Sequence, residues 1–211
     1  MRNWLAFYNP EGIGDVLLLT CANADGAHLI SESRGPITEI KDKTNGEIVG
    51  LNIHRISEYF VPDGNGLVLL TSDQVTQLNQ LLEANAFDYV ISVDNRTKFV
   101  VGLVEECVPH EDSDHLHITK TRISQDEVLQ IVCGAANIAQ GQKVLVAKPG
   151  AVMPSGLIIW PGELRGVQSN GMICSTRELG LEELENYPGI WELTTKAEIG
   201  QTLEEVKTLY V

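Results

Sequence analysis

The sequence predicts two domains, a small mixed α+β domain followed by an all-β barrel. The chain has 211 residues, which is long for one domain and comfortable for two. In the first half, apolar runs of strand length surround one stretch with helical periodicity. In the second half, short β-rich runs alternate with glycine turns. The polar turn at residues 94–96 separates the halves, so the predicted domains are residues 1–95 and 97–211.

The first domain is predicted to hold one hairpin with a clear turn signal and one helix. Predicted strands cover residues 3–8, 15–20, 28–33, 37–41, 48–53 and 89–93. Asn45-Gly46 stands between two of these runs and favours a tight hairpin. Ser72 or Asp73 is expected to cap a helix that ends near Asn85. Its apolar residues Val75, Leu78, Leu81 and Leu82 follow the helical period.

The second domain is predicted to be a five-stranded barrel of the OB-fold type. The predicted strands cover residues 98–108, 115–123, 128–133, 143–147 and 157–160. Gly102 lies inside the first of them, and a glycine within a strand often marks a bend at a barrel corner. An OB-fold binds oligonucleotides with its open face and loops, although the number of strands also allows another small barrel.

Composition places the chain among folded proteins with reduced cysteines. Hydrophobic residues make up 43% of the sequence, enough to bury real cores. There is no apolar run of about 18 residues, so no membrane span is predicted. The opening residues MRNWLAFYNPEGIGD become polar too early for a signal peptide. The four cysteines form no CxxC pair, which predicts reduced, mostly buried thiols and a cytoplasmic location.

The charge excludes a strongly basic nucleic-acid binder. The formal net charge is −14, whereas affinity for nucleic acid depends on neutralising phosphates. Residues 98–177 are nevertheless close to neutral, with seven Lys and Arg against eight Asp and Glu. The remaining acids of the second half follow residue 177. A local basic face is therefore compatible with the sequence, but a strong one is not.

An ordered series of short motifs runs through the second domain. They are VVG at 100–102, a histidine-containing loop at 110–116, VCGAxN at 132–137, GQKV at 141–144, GAVxPxG at 150–156, LRGVxSxGM at 164–172 and CSxxELGL at 174–181. This series resembles the tRNA-binding domain of several synthetase-associated proteins. They are the β subunit of bacterial phenylalanyl-tRNA synthetase, the methionyl-tRNA synthetase C-terminus and endothelial-monocyte-activating polypeptide. Length and domain order resemble the free-standing YtpR family. The resemblance implies an OB-fold that binds tRNA without catalysis.

Two departures from the related sequences reduce positive charge. Relatives often have a lysine before the LRG segment, where this chain has Glu163. Their loop often reads HPNADKL, where this chain reads HEDSDHL with Glu111, Asp112 and His115 at the changed positions. Both changes act against phosphate contacts.

Arg165 is the first candidate for an RNA contact, because a guanidinium can bind phosphate or stack on a base. The alternative is an arginine at the barrel edge that pairs with Glu163. Ser169 offers a hydroxyl, and Met172 offers either a flexible apolar surface for a base or core filling. Asn137 is a further candidate, although closing a turn is its commoner role. The remaining candidates are Lys120, Arg122, Lys143 and Lys148.

Neither a metal site nor an enzyme is predicted. His110, Asp112, Asp114, His115 and His117 offer suitable metal ligands, but their spacing matches no recognised site. The corresponding loop of the resembling family does not bind metal. The chain has no P-loop and no nucleophile elbow, and Gly12-Ile13-Gly14 lacks the third glycine of a dinucleotide fingerprint. No cofactor is expected.

The sequence therefore predicts a tRNA-binding protein that recognises shape and backbone, with stacking on exposed bases. The alternative is a protein-interaction module that has kept the barrel and docks to a translation-related partner or to a second copy as a homodimer. A third hypothesis is an unrecognised activity of residues 1–95.

Overall fold

The computed structural model describes residues 3–184 and 188–210, which fall into two compact units divided between Arg96 and Thr97. The ends of the predicted domains at residues 1 and 211 lie outside the described residues. The first unit has one core cluster, and two core clusters lie in the second.

The first unit is built on a six-stranded sheet in the order β3-β4-β5-β2-β1-β6. Its strands are β1 (Leu5–Tyr8), β2 (Val16–Thr20), β3 (Leu29–Arg34), β4 (Ile37–Asp42), β5 (Ile48–His54) and β6 (Gly66–Val68), and its helices are α1 (Pro10–Ile13) and α2 (Ser72–Ala84). Neighbouring strands pair antiparallel. The sheet predominates, so the α+β class of this unit stays a prediction.

The predicted hairpin and helix are present in this unit. β4 pairs with β5 around a turn in which Gly46 has φ +74°, a conformation that glycine adopts without a steric penalty. The N-cap of α2 is Thr71, one residue before the predicted cap, and it forms a capping box with Gln74. The helix buries Leu78 and Leu82, as its periodicity predicts.

The predicted strand at residues 89–93 is wrong. Its Ile91 N–H donates to Asn79 Oδ1 at 2.8 Å, and Asn79 Nδ2 donates to the Ile91 carbonyl at 3.0 Å. A side chain of α2 therefore satisfies the backbone groups that a strand ladder would have used. One isolated bridge joins Val93 to Trp4.

The second unit is a nearly closed antiparallel barrel, consistent with an OB-like fold. Its strands are β7 (Phe99–Pro109), β8 (His117–Arg122), β9 (Val128–Cys133), β10 (Lys143–Ala147), β11 (Gly162–Leu164), β12 (Val167–Ser169) and β13 (Met172–Ile173), followed by α3 (Leu203–Lys207). The main sheet has the order β13-β10-β7-β8-β9, and β11 and β12 form a separate hairpin.

The predicted strand at residues 157–160 is also wrong. Its Ile159 exchanges hydrogen bonds with Gly150 and Ala151, at 2.7 and 2.8 Å, in an irregular loop rather than in the barrel. The fifth strand of the barrel is instead β13, which begins at the last residue of the LRGVxSxGM motif.

Gly102 is required by packing rather than by a special backbone angle. A Cβ atom there would lie 2.6 Å from Thr121 Cγ2 and 2.9 Å from Val146 Cγ2. These are side chains of β8 and β10, the two strands that flank β7. The glycine therefore lets the barrel interior close tightly at this point.

Candidate nucleic-acid interface

The LRGVxSxGM motif closes the barrel against β9. Ser169 Oγ accepts a hydrogen bond from the Val132 N–H at 3.1 Å. Gln130 Nε2 donates to the Gln168 carbonyl at 2.9 Å, and the Asn170 N–H donates to the Gln130 carbonyl at 2.8 Å. The first and third of these bonds satisfy backbone groups of β9, which is otherwise an edge strand. Ser169 is buried, and this closure occupies its hydroxyl.

Arg165 lies at the tip of the β11–β12 hairpin and is exposed. The pair Leu164–Val167 leaves a two-residue turn in which Arg165 has φ +48° and Gly166 has φ +82°. Positive φ at both positions is typical of the tight hairpin turns whose twist matches that of the strands. A non-glycine residue held there is strained, and such strain is often found at functional positions.

The hairpin is tied to the loop of residues 110–116, between β7 and β8. Arg165 Nη1 donates to the Asp112 carbonyl at 2.6 Å. The buried His110 accepts from the Asp112 N–H at Nδ1, at 3.0 Å. A backbone N–H can only donate, so Nδ1 carries no proton, and Nε2 is the atom that faces the Leu164 carbonyl at 3.4 Å. Hairpin and loop therefore form one surface.

No carboxylate among residues 3–184 and 188–210 bonds directly to Arg165. The expected partner Glu163 instead accepts from Gln168 Nε2 at 3.2 Å. Asp114 is close enough for the Arg165 charge to help lower the pKa of that carboxyl, although the hydrogen bond from His115 is the largest cause. The surface around Arg165 is therefore mixed in charge rather than uniformly basic.

The four other positively charged residues that were predicted to contact RNA all bond to groups within the barrel unit. The distances are Lys120 Nζ to Glu106 Oε2 3.0 Å, Arg122 Nε to Glu105 Oε1 2.6 Å, Arg122 Nη2 to Glu105 Oε2 3.0 Å and Lys148 Nζ to Glu127 Oε2 2.9 Å. Lys143 donates to the carbonyls of Thr195 and Ala197. Any RNA phosphate that bound the first three would have to displace or face a carboxylate.

Asn137 holds the distant residue Ile190 through both ends of its side-chain amide. Its Nδ2 donates to the Ile190 carbonyl at 3.0 Å, and its Oδ1 accepts from the Ile190 N–H at 2.9 Å. The two residues are 53 positions apart, so the amide ties two distant segments together rather than closing a local turn.

Met172 is half-buried on β13 and packs against a core cluster. It also lines a cleft of about 280 Å³ beside the end of β9. Arg177, which was not among the candidates from the sequence, lies at the same cleft and is exposed. It occupies a variable position of the CSxxELGL motif, so the motif gave no signal for it.

The cysteines of the barrel are unreactive thiols. Cys107, Cys133 and Cys174 are free. Burial raises the pKa of Cys174 to about 12 and also raises that of Cys133. The reactive form of cysteine is the thiolate, so these side chains contribute packing rather than chemistry.

Residues 3–184 and 188–210 contain neither a membrane-spanning helix nor a metal-binding cluster. No described helix combines the length and apolar character needed to cross a membrane. Within the same residues, no group of three His, Cys, Asp or Glu side chains is arranged to hold a metal ion.

The barrel and the first unit each match a known sequence family. Residues 99–202 match the family described as "Putative tRNA binding domain", and residues 24–94 match a "Domain of unknown function (DUF4479)". The "Putative tRNA-binding protein YtpR" of Bacillus subtilis is 44% identical over 199 residues, which are 94% of this chain and 98% of that protein. The chain belongs to the YtpR family.

The barrel of this YtpR-family chain also resembles part of a synthetase subunit. The phenylalanine–tRNA ligase beta subunit of Oceanobacillus iheyensis is 53% identical over 102 residues, which are 48% of this chain and 12% of that subunit. The corresponding subunit of Idiomarina loihiensis is 47% identical over 120 residues, which are 57% and 15% of the two chains. The similarity therefore concerns one domain of a much larger protein.

Proposed function

We propose that this protein binds tRNA without catalysing a reaction, and that the barrel unit carries the binding. The observation that supports this most is the hairpin tip, which holds Arg165 exposed and unpaired with any carboxylate that the structure describes. That residue lies within the part of the chain that matches the tRNA-binding family. The related protein of nearly the same length is also named for tRNA binding.

Arg165 is suited to a phosphate or to the face of a base. A guanidinium has five N–H donors, and the bond to the Asp112 carbonyl uses Nη1 alone. That bond orients the side chain before RNA arrives and leaves donors for a second, bidentate contact. The side chain therefore does not need to break its present contact in order to bind.

The contact with RNA involves few phosphates. Lys120, Arg122 and Lys148 already pair with carboxylates, and Lys143 is bound to carbonyls. Recognition then relies on the shape of the RNA and on stacking, with Met172 as an apolar surface for a base. Direct RNA contacts by the buried Ser169 or by Asn137 stay predictions.

The paired cations and the acidic balance favour a second candidate function. Residues 98–211 contain nine Lys and Arg against sixteen Asp and Glu. Such a surface suits a protein-interaction module, either in a homodimer or with a translation-related partner. A cytoplasmic location fits both candidates and belongs to the proposal.

A titration of total tRNA over a series of salt concentrations tests the first candidate. With two phosphate contacts, log K is expected to fall with log salt at a slope of about −2, well below that of a basic binder. Arg165→Glu is expected to weaken binding about tenfold or more, since it removes a charge-assisted contact. Lys207→Glu is the control, because it makes the same charge change on α3, outside the hairpin.

Equal losses from Arg165→Glu and Lys207→Glu would reject the site. If the unmodified protein fails to bind tRNA even at low salt, the tRNA proposal is wrong. Sedimentation of the same sample would then test the homodimer.

A further inference from the structure

A cleft lies between the carboxyl end of β9 and β13. Its volume is about 280 Å³, and its lining includes Cys133, Gly134, Met172, Arg177, Glu178 and Gly189. We call it the β9–β13 cleft. The volumes of ligand pockets commonly start at about 300 Å³, so the volume of this cleft suits one small group.

Arg177 differs from most cations of the barrel unit. Its guanidinium makes no hydrogen bond or ion pair with any residue that the structure describes, whereas Lys120, Arg122 and Lys148 each pair with a carboxylate. The adjacent Glu178 accepts at its Oε2 from Ser175 N at 2.8 Å and Ser175 Oγ at 2.6 Å, rather than from Arg177. Arg177 therefore keeps its charge and its donors for a ligand.

The walls of the β9–β13 cleft are fixed by hydrogen bonds. Asn137 holds Ile190 on one side, and the Trp191 N–H donates to the Cys174 carbonyl at 2.9 Å beneath it. Gly189 has φ +106°, and a Cβ atom there would lie 2.0 Å from Asn137 Oδ1. This wall therefore requires glycine, and the cleft is formed before a ligand arrives.

The surfaces of the cleft combine apolar and cationic character. Met172 supplies a polarizable thioether, and Cys133 supplies a buried thiol that remains protonated because burial raises its pKa. Gly134 adds backbone without a side chain. Apolar side chains beside an arginine suit a nucleobase and its phosphate, and the carboxylate of Glu178 also lines the cleft.

The cleft and the Arg165 surface lie at the same end of the barrel. Cys133, the last residue of β9, pairs with His117, and His117 pairs with Pro109 at the end of β7. The loop of residues 110–116 leaves from this point, and Arg165 is bonded to it through Asp112. One RNA molecule that contacts Arg165 is therefore directed toward the cleft.

We propose that the β9–β13 cleft holds one unpaired nucleotide of the bound tRNA, with the base against Met172 and a phosphate on Arg177. This inference rests on the proposed tRNA-binding function and assigns a residue that the sequence motifs did not mark. A base in a paired helix is stacked within the duplex, so the cleft selects an unstacked nucleotide.

The test compares Arg177→Ala with Lys196→Ala in the full-length protein. Lys196 is an exposed cation of the same unit, lies outside the cleft, and its side chain pairs with no described residue. Two probes are titrated, total tRNA and a blunt RNA duplex with no unpaired nucleotide. Arg177→Ala is expected to weaken tRNA binding about tenfold and to reduce the magnitude of the salt slope by about 1. Lys196→Ala is expected to leave both values unchanged, and duplex binding is expected to respond to neither substitution.

Three results would overturn the inference. If Arg165→Glu weakens binding while Arg177→Ala behaves like Lys196→Ala, the cleft is not a site and the proposed function stands. If Arg177→Ala weakens duplex and tRNA binding equally, the residue binds phosphate without an unpaired nucleotide. If the unmodified protein binds no tRNA, the cleft and the proposed function both fail. Melting curves of the variants verify that each remains folded.

Discussion

Gly171 is the residue where backbone conformation and packing impose the same requirement. Its φ is +145°, and a Cβ atom there would lie 2.9 Å from the Ala147 carbonyl oxygen of β10. Ile131 of β9 lies on another side, with its Cδ1 3.4 Å from that position. Since the neighbouring oxygen belongs to the backbone, it cannot move aside as a flexible side chain can. Glycine here allows β13 to approach both β10 and β9.

Gly171→Val is therefore expected to lower the free energy of unfolding by about 1–3 kcal/mol, through strain at a positive φ and the close contact. Chemical denaturation of the two proteins measures the difference. Gly162→Val is the matched control, because a Cβ atom at Gly162 meets nothing within 4 Å. Its cost is expected to stay within about 0.5 kcal/mol. Identical melting of the two variants would contradict the assignment.

At the scale of elements, the β11–β12 hairpin completes the barrel and presents Arg165 at the same time. Ser169 joins its second strand to β9 by accepting from the Val132 N–H, and His110 and Arg165 tie its tip to the loop of residues 110–116. The LRGVxSxGM motif therefore has a structural part and an exposed part. Ser169 belongs to the structural part, and Arg165 belongs to the exposed part.

Ser169→Ala is expected to destabilise the barrel by about 1–3 kcal/mol, because the buried Val132 N–H loses its acceptor. Thermal or chemical unfolding measures the loss. Ser155→Ala is the control, since Ser155 is exposed and accepts a longer bond of 3.4 Å from the Leu157 N–H. Loss of tRNA binding by Ser169→Ala with unchanged stability would instead show a direct contact and contradict the closure role.

Local sequence patterns predicted the elements whose partners are close in the chain. β7 to β10 lie within about two residues of their predicted bounds, because apolar runs between glycine turns mark them. The strand predicted at residues 89–93 does not form, because the side chain of Asn79 in α2 makes hydrogen bonds with the backbone of Ile91. Residues 157–160 failed because β13 takes the place beside β10, which is a property of the folded barrel.

For the candidate site too, the sequence predicted what depends on neighbouring residues and could not predict contacts made in the folded barrel. The motif identified Arg165, whose exposure follows from a turn of two residues. The motif could not show that Arg122 pairs with Glu105, seventeen residues away. Nor could it show that Ser175 donates a hydrogen bond to the Glu178 carboxylate beside Arg177. Which cations remain available to RNA is decided by these contacts and not by composition.

At the scale of the whole molecule, the two units have separate core clusters, and the candidate site lies in the second unit. Residues 1–96 carry six Lys and Arg against thirteen Asp and Glu, and their core cluster contains no residue of the barrel. An acidic unit repels RNA through a field that salt screens over about 10 Å at 0.1 M. The first unit is therefore expected to oppose binding or to leave it unaffected.

The measurement that tests this account most directly is the tRNA affinity of residues 97–211 beside that of the intact chain, at one fixed salt concentration. We expect the isolated barrel to fold cooperatively and to bind at least as tightly as the whole protein, while residues 1–96 alone do not bind. An isolated barrel that folds but loses the binding shown by the intact chain would contradict the central claim, because the first unit would then contribute to the site.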